Sequence, residues 1–229
     1  MTGARALAPV ALLAMTAAGP AMPSIAWVDV SAAYAQVHDY TCLYRKEERA
    51  ISNGDLQRIR LSFRKPLDVK LEWLNGDGRV DQIAVYRRGM NNGKVLARRT
   101  GGVASWLGTL KLDPTSSRAL EDSRHPITDV GIGYIVGSVS QEIARNGDSG
   151  AAAETMLDDK PAYRFELDAR GGAVLLGVDG ARHATIWVDR DSKLPVDVEI
   201  RDGAGGLIER HRFSEIRINP GLTDQTFTL

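Results

Sequence analysis

The densest group of residues able to do chemistry is Ser123-Arg124-His125-Pro126-Ile127-Thr128. Arg124 and His125 can make charge-assisted contacts to a phosphate or carboxylate headgroup. Thr128 reads as the N-cap of a long helix, with Asp129 at the positive end of its dipole, and such a helix start favours an anion. The plainer reading is a structural linker whose side chains cap the helix. Nucleophilic use of Ser123 with His125 would need a shielded base, an orienting acid and an oxyanion hole. No Gly-x-Ser-x-Gly elbow is present, so no catalytic constellation is recognised and the chain is not read as an enzyme.

Other motifs carry less. Gly131-Ile-Gly133-Tyr-Ile-Val-Gly137 has the glycine spacing of a dinucleotide loop but follows a proline-bearing linker, with no βαβ pattern around it. Gly133 and Gly137 share a helix face and suit close packing. His38, His125, His183 and His211 show no ligand spacing, and Asp189 with Asp191 lacks the glycine and distal glutamate of a calcium loop. No metal site and no cofactor are therefore expected. Cys42 is the only cysteine, which excludes an intramolecular disulfide, and it reads as a small buried hydrophobe.

The elements that must position these residues are mostly strands. Alternation and turn chemistry predict strands at Asp39–Arg49, Leu56–Lys65, Val69–Trp73, Gln82–Arg87, Lys94–Arg98 and Thr109–Leu112. Asn53-Gly54-Asp55, Asn75-Gly76-Asp77-Gly78 and Asn91-Asn92-Gly93 supply turns between them. A short helix capped by Asp29 or Ser31 carries Val30, Tyr34 and Val37 on one side. The long helix, Thr128–Asn146, presents Ile132, Ile135, Val136, Val139 and Ile143 on one face and stops at Gly147. Strands resume at Ala153–Leu157, Tyr163–Leu167, Ala184–Val188, Val196–Ile200 and Leu207–Ile218, before a tail anchored by Phe227.

About ten strands at ~4.8 Å spacing make a sheet nearly 50 Å wide, whereas a helix covers about 10 Å. One long and one short helix cannot cover such a sheet if it is flat. The sheet must curl over them, and any shortfall in filling leaves an apolar cleft. Leu71, Trp73, Ile83, Val85, Tyr163, Phe165, Ile186 and Val188 are the candidate apolar lining, with Arg124 and His125 as a headgroup contact at the rim. Trp106 and Trp187 are further candidates, for which core packing is the simpler role.

The N-terminus indicates where such a domain works. A basic start ending at Arg5 precedes an apolar run, Ala6–Ala18, of roughly 13 residues, too short to span a bilayer, which takes about 20. Ser24-Ile25-Ala26 places small residues at −3 and −1 of a secretory cleavage site. Residues 1–26 therefore read as a signal peptide and 27–229 as one domain of a soluble periplasmic protein. Trp27–His125 carries 17 basic and 12 acidic residues, Pro126–Leu229 11 basic and 17 acidic. The halves carry +5 and −6, and the net of −1 over 27–229 gives no reason to expect nucleic acid.

Trp187-Val-Asp-Arg-Asp-Ser-Lys-Leu-Pro195, the hairpin through Gly203–Gly206, and Arg212-Phe-Ser-Glu-Ile216 with Asn219-Pro220 are similar to the C-terminal half of the LolA/LolB-like superfamily. Tyr40-Thr-Cys-Leu-Tyr-Arg-Lys-Glu47, Phe63-Arg-Lys-Pro66 with Trp73, Leu110-Lys-Leu-Asp-Pro114, and Ser123–Thr128 with Gly131 and Gly133 resemble one branch, the secreted bacterial domain of unknown function 1571. The resemblance covers nearly the whole chain after residue 26. It implies an α+β fold: a single strongly curved antiparallel sheet, a LolA-like half-barrel with one long and one or more short helices on its concave face. It also implies a ligand class, a lipid or lipoprotein acyl chain, without transferring any functional residue.

The expected function is a periplasmic carrier of an apolar or amphipathic ligand, its partners being a lipid or acylated ligand. The alternative is a periplasmic protein-interaction or envelope-sensor module that docks an envelope protein without ligand transport. N-terminal sequencing of the exported protein should give a start close to Trp27; an intact Met1 on a membrane-bound protein would refute the signal.

Overall fold

A computed structural model describes residues 24–49, 56–101, 108–147, 151–170 and 174–229. The apolar run Ala6–Ala18, the Asn53-Gly54-Asp55 turn and Trp106 lie outside the described residues. Twelve antiparallel strands form one sheet that does not close on itself. They are β1 (Ser24–Ala26), β2 (Asp39–Glu48), β3 (Gln57–Arg64), β4 (Asp68–Leu74), β5 (Val80–Arg87), β6 (Val95–Arg99), β7 (Leu110–Leu112), β8 (Ala151–Leu157), β9 (Lys160–Asp168), β10 (His183–Asp189), β11 (Pro195–Arg201) and β12 (Leu207–Ile218). Their spatial order is β1-β8-β9-β10-β11-β12-β2-β3-β4-β5-β6-β7. Two meanders thus meet where β12 pairs with β2.

Register shows which side chains share the concave face. Phe165 lies opposite Ile186 and Ile186 opposite Val198; Tyr44 lies between Phe213 and Ile59; Leu71 lies between Leu61 and Ala84. Helices α1 (Trp27–Ala35) and α2 (Ile132–Asn146) lie on this face and make a continuous core with it. Ile132, Ile135, Val136 and Val139 of α2 are buried, as the sequence predicts, and Ile143 packs beside them. Trp27 binds the helices together: its indole N–H donates to Ser140 Oγ at 3.0 Å, and its ring meets Phe165 edge-on at 4.9 Å.

Three sequence expectations need correction. The short helix begins at Trp27, so Asp29 sits inside its first turn and accepts the Ala26 N–H at 3.0 Å; Ser31 faces Ser140 and does not cap. The long helix begins at Ile132, with Gly131 as N-cap, and Thr128 belongs to a separate 3-10 turn, Ile127–Asp129. The cause is tertiary. Tyr40, standing on β2, presents its hydroxyl to the Ile132 N–H at 2.9 Å, doing the work a local cap would do. Gly131 holds φ at +89°, and a Cβ there would collide with the same hydroxyl. Gly133 is likewise closed off by Tyr34, whereas Gly137 has open space where a side chain would stand, so it is not a packing glycine.

On β5 the expected lining residues face the wrong way. Ile83 and Val85 lie opposite Glu72 and Lys70, on the face away from the helices. There they form a small separate cluster with Phe227. The C-terminal segment is strapped over them. Asp224 pairs with Arg64 and Arg87, the Arg64 guanidinium lies 5.0 Å from the Phe227 ring centre, and Asp39 accepts the Gly221 and Leu222 N–H groups. Ser24–Ala26, read as the end of a signal, forms an edge strand on β8 with Ile25 opposite Ala152.

Val139 is fully buried between helix and sheet. V139D should lower stability by several kcal/mol, read as a large drop in Tm, because it places an unpaired charge in the interior. Melting at the wild-type temperature would mean that the helix does not pack there.

Candidate functional site

The helices fill one half of the curved sheet and leave the other partly open. Over β3–β7 the concave face is roofed by the segment 113–131, and a cavity of about 520 Å³ lies between them. Its apolar wall includes Ile59, Leu71, Trp73, Ala84, Val95, Ala97, Leu112, Ile127 and Ile135. Trp73 is held in place by its indole N–H donating to Gln57 Oε1 at 3.0 Å. Arg58, Arg98, Arg99 and Arg118, with Asp81 and Glu121, also border the cavity.

Of the eight expected lining residues, Leu71 and Trp73 line this cavity. Tyr163, Phe165, Ile186 and Val188 share the concave face but form the filled core beneath α1 and α2. Ile83 and Val85 face the other way, under the C-terminal segment. Arg124 does not line the cavity: its guanidinium donates to the Arg49 carbonyl and its backbone N–H to Glu48 Oε2 at 3.1 Å. His125 does line it, but its Nε2 lies 3.1 Å from both carboxylate oxygens of Glu209. Since α2 starts at Ile132, the Ser123–Thr128 cluster does not sit at its free amides.

At the seam of β2 and β12 the concave face turns polar. Alternation puts Tyr44, Lys46 and Glu48 inward on β2, and Glu209, His211 and Phe213 inward on β12; Glu48 faces Glu209 and Lys46 faces His211. Glu209 is 1 % exposed and lies between His125 and His211, whose Nε2 is 3.2 Å away. The Tyr44 hydroxyl and His211 Nδ1 are 2.6 Å apart. Lys46 pairs with Glu48 at 3.3 Å and also donates to the Asp122 carbonyl. Glu48 Oε1 is buried and has no hydrogen-bond partner.

This layer is hidden in the sequence because the neighbouring outward residues, Arg45, Glu47, Arg210 and Arg212, are charged as well. Phe213 was the available signal, since counting back by twos from it places His211 and Glu209 inside.

The electrostatics follow from burial set against pairing. Burial disfavours the Glu209 carboxylate, but two imidazole hydrogen bonds outweigh it and hold the group well below the usual carboxylate range. Burial also opposes charge on His125, and the Glu209 carboxylate reverses the balance and raises it. Burial lowers Lys46 against the pull of Glu48, and drives Tyr44 well above its ordinary value.

Linkage sets the pH window. A depressed Glu209 contributes stability above its ordinary value of 4.5, lost as pH falls through its folded value; a raised His125 contributes below 6.5, lost as pH rises through its folded value. The pair is therefore worth most between these two values. Glu209→Gln should destabilise by about 3 kcal/mol at pH 5.5, since one partner of a buried pair is removed. The penalty should shrink by pH 9, as measured by denaturant melts of both proteins; a pH-independent penalty would contradict the ion pair.

No match is found among curated proteins. Among solved structures the chain is similar to MucB, with a TM-score of 0.50 and 16% identity, over 89% of this chain and 61% of that one. It thus spans about three fifths of MucB. The structure of MucB in complex with MucA(peri) gives a TM-score of 0.47 at 16% identity, over 89% and 58% of the two chains. The Mycobacterium tuberculosis lipoprotein LppX gives 0.46 at 16% identity, over 86% and 95%. A LolA superfamily protein from Nitrosomonas europaea gives 0.34 at 10% identity, over 90% and 98%. The likeness to MucB is one of fold. The family described as "Protein of unknown function (DUF1571)" matches residues 37–229, and the chain belongs to that family.

Proposed function

We propose that the domain binds an apolar or amphipathic ligand, such as a lipid or an acyl chain, in the cavity over β3–β7, and that it does so as a periplasmic carrier. The cavity is the observation that carries this reading. Its 520 Å³ lies within the range of about 300–1,000 Å³ typical of small-ligand sites, and its walls are apolar with charged residues at one end and at the border. A docking module without a ligand would have a filled interior instead. Export rests on the N-terminal signal pattern. No helix among the described residues is long and apolar enough to cross a membrane.

Each buried methylene of a bound chain contributes about 0.8 kcal/mol. Ala97 lines the cavity on β6, beside Ala84. An indole there would displace at least two or three methylenes, or roughly tenfold in affinity at about 1.4 kcal/mol per decade. Purified protein should bind a fluorescent fatty-acid probe at micromolar concentration, and A97W should bind it at least tenfold more weakly while its circular dichroism is unchanged. Absence of probe binding by the wild type, or unchanged binding by folded A97W, rejects the reading.

A further inference from the structure

We propose that His125, Glu209 and His211 form a site for one divalent transition-metal ion of the zinc, cobalt or nickel type at the polar end of the cavity. One ligand atom from each residue lies within 4.8 Å of the other two. Both imidazoles aim Nε2 at the same carboxylate, at 3.1 and 3.2 Å. Ligand distances of about 2.0–2.2 Å put neighbouring donors roughly 3–3.5 Å apart around an ion, so these separations already suit one. Two imidazoles and one carboxylate select a borderline metal over calcium or magnesium, which prefer all-oxygen shells.

Four further features support a metal over a simple ion-pair cluster. Tyr44, 2.6 Å from His211 Nδ1, is the outer partner that fixes a ligating imidazole: with Nδ1–H donating to the phenol oxygen, Nε2 is left free for metal. Glu48 and Glu209 stand directly opposite each other across the β2–β12 pair, a concentration of negative charge that a bound cation would offset. Glu48 keeps one buried oxygen without a partner, while Lys46 is the ammonium paired with that group. His125 and His211 both line the cavity, so a metal would keep its remaining positions towards that space.

The test uses the whole purified chain, stripped with chelator and titrated with cobalt chloride, then zinc chloride. One Co2+ per chain is expected, with the visible absorption of a four- or five-coordinate ion that Zn2+ abolishes. His125→Gln and His211→Gln should each weaken Co2+ binding at least tenfold, and Tyr44→Phe should weaken it while retaining the spectrum. Zn2+ should raise the Tm of the wild type but not that of His211→Gln, a readout that also reveals whether the variant is folded. Sub-stoichiometric Co2+, or binding that survives both histidine changes and so belongs to His38 or His183, overturns the site. Because neither readout involves lipid, its failure is distinct from failure of probe binding.

Discussion

The arrangement of this molecule turns on a single hydrogen bond between a tyrosine on one strand and the first free amide of a helix. Tyr40 is fully buried, stacked on Phe63 at 5.2 Å, and its hydroxyl receives the Ile132 N–H. The bond is possible because Gly131 brings no Cβ to a point where the phenol already stands. It fixes where α2 begins, and the helix length then fixes how much of the concave face is covered. The chain between β7 and that bond crosses the sheet in turns and one short 3-10 helix, and the cavity lies beneath it.

Sheet curvature has a second effect at the seam. A wide sheet whose strands all faced an apolar interior would need continuous apolar alternation on every strand. Here the two central strands break that rule with Lys46, Glu48, Glu209 and His211, all nearly buried. Such groups are costly to desolvate singly and tolerable only when mutually satisfied. The network from Tyr44 through His211 and Glu209 to His125 satisfies the β12 side, while Lys46 pairs with Glu48 and one Glu48 oxygen keeps no partner; His125 arrives from the roofing segment. The roof over the cavity is thus tied to the sheet by a charged contact as well as by apolar ones. On the outer face Asp197 is held between Arg210 and Arg212, so β12 is charged on both sides.

Much of this was legible from the residues. Strand positions followed from alternation and turn chemistry, the helix face from Ile132, Ile135, Val136 and Val139, and the curling of the sheet from the mismatch between sheet width and helix coverage, whereas the half-barrel was implied by the family resemblance. Thr128 misled because its local capping chemistry is sound; the winning interaction comes from Tyr40, 92 residues away in sequence. Ile83 and Val85 misled because β5 is buried on both faces, with Ala84 on one and its neighbours on the other. Alternation separates the faces of a strand but does not say which is concave. Ser24–Ala26 carries a cleavage-like pattern and also strand geometry, and sequence spacing has no means of choosing between them.

The meeting of β12 with β2 also has a kinetic consequence. Apart from β1 on β8, every other neighbouring pair joins strands close in sequence, but this seam joins residues some 167 apart, as in Tyr44 and His211. Closing so long a loop is entropically slow compared with zipping a hairpin. A chain emerging from its N-terminus can assemble β2–β7 early, yet the inner edge of β2 has no mate until residues 207–218 appear. An unpaired edge of ten residues is a template for the wrong strand, including one from another copy. Assembly is therefore most vulnerable in the interval before β12 arrives.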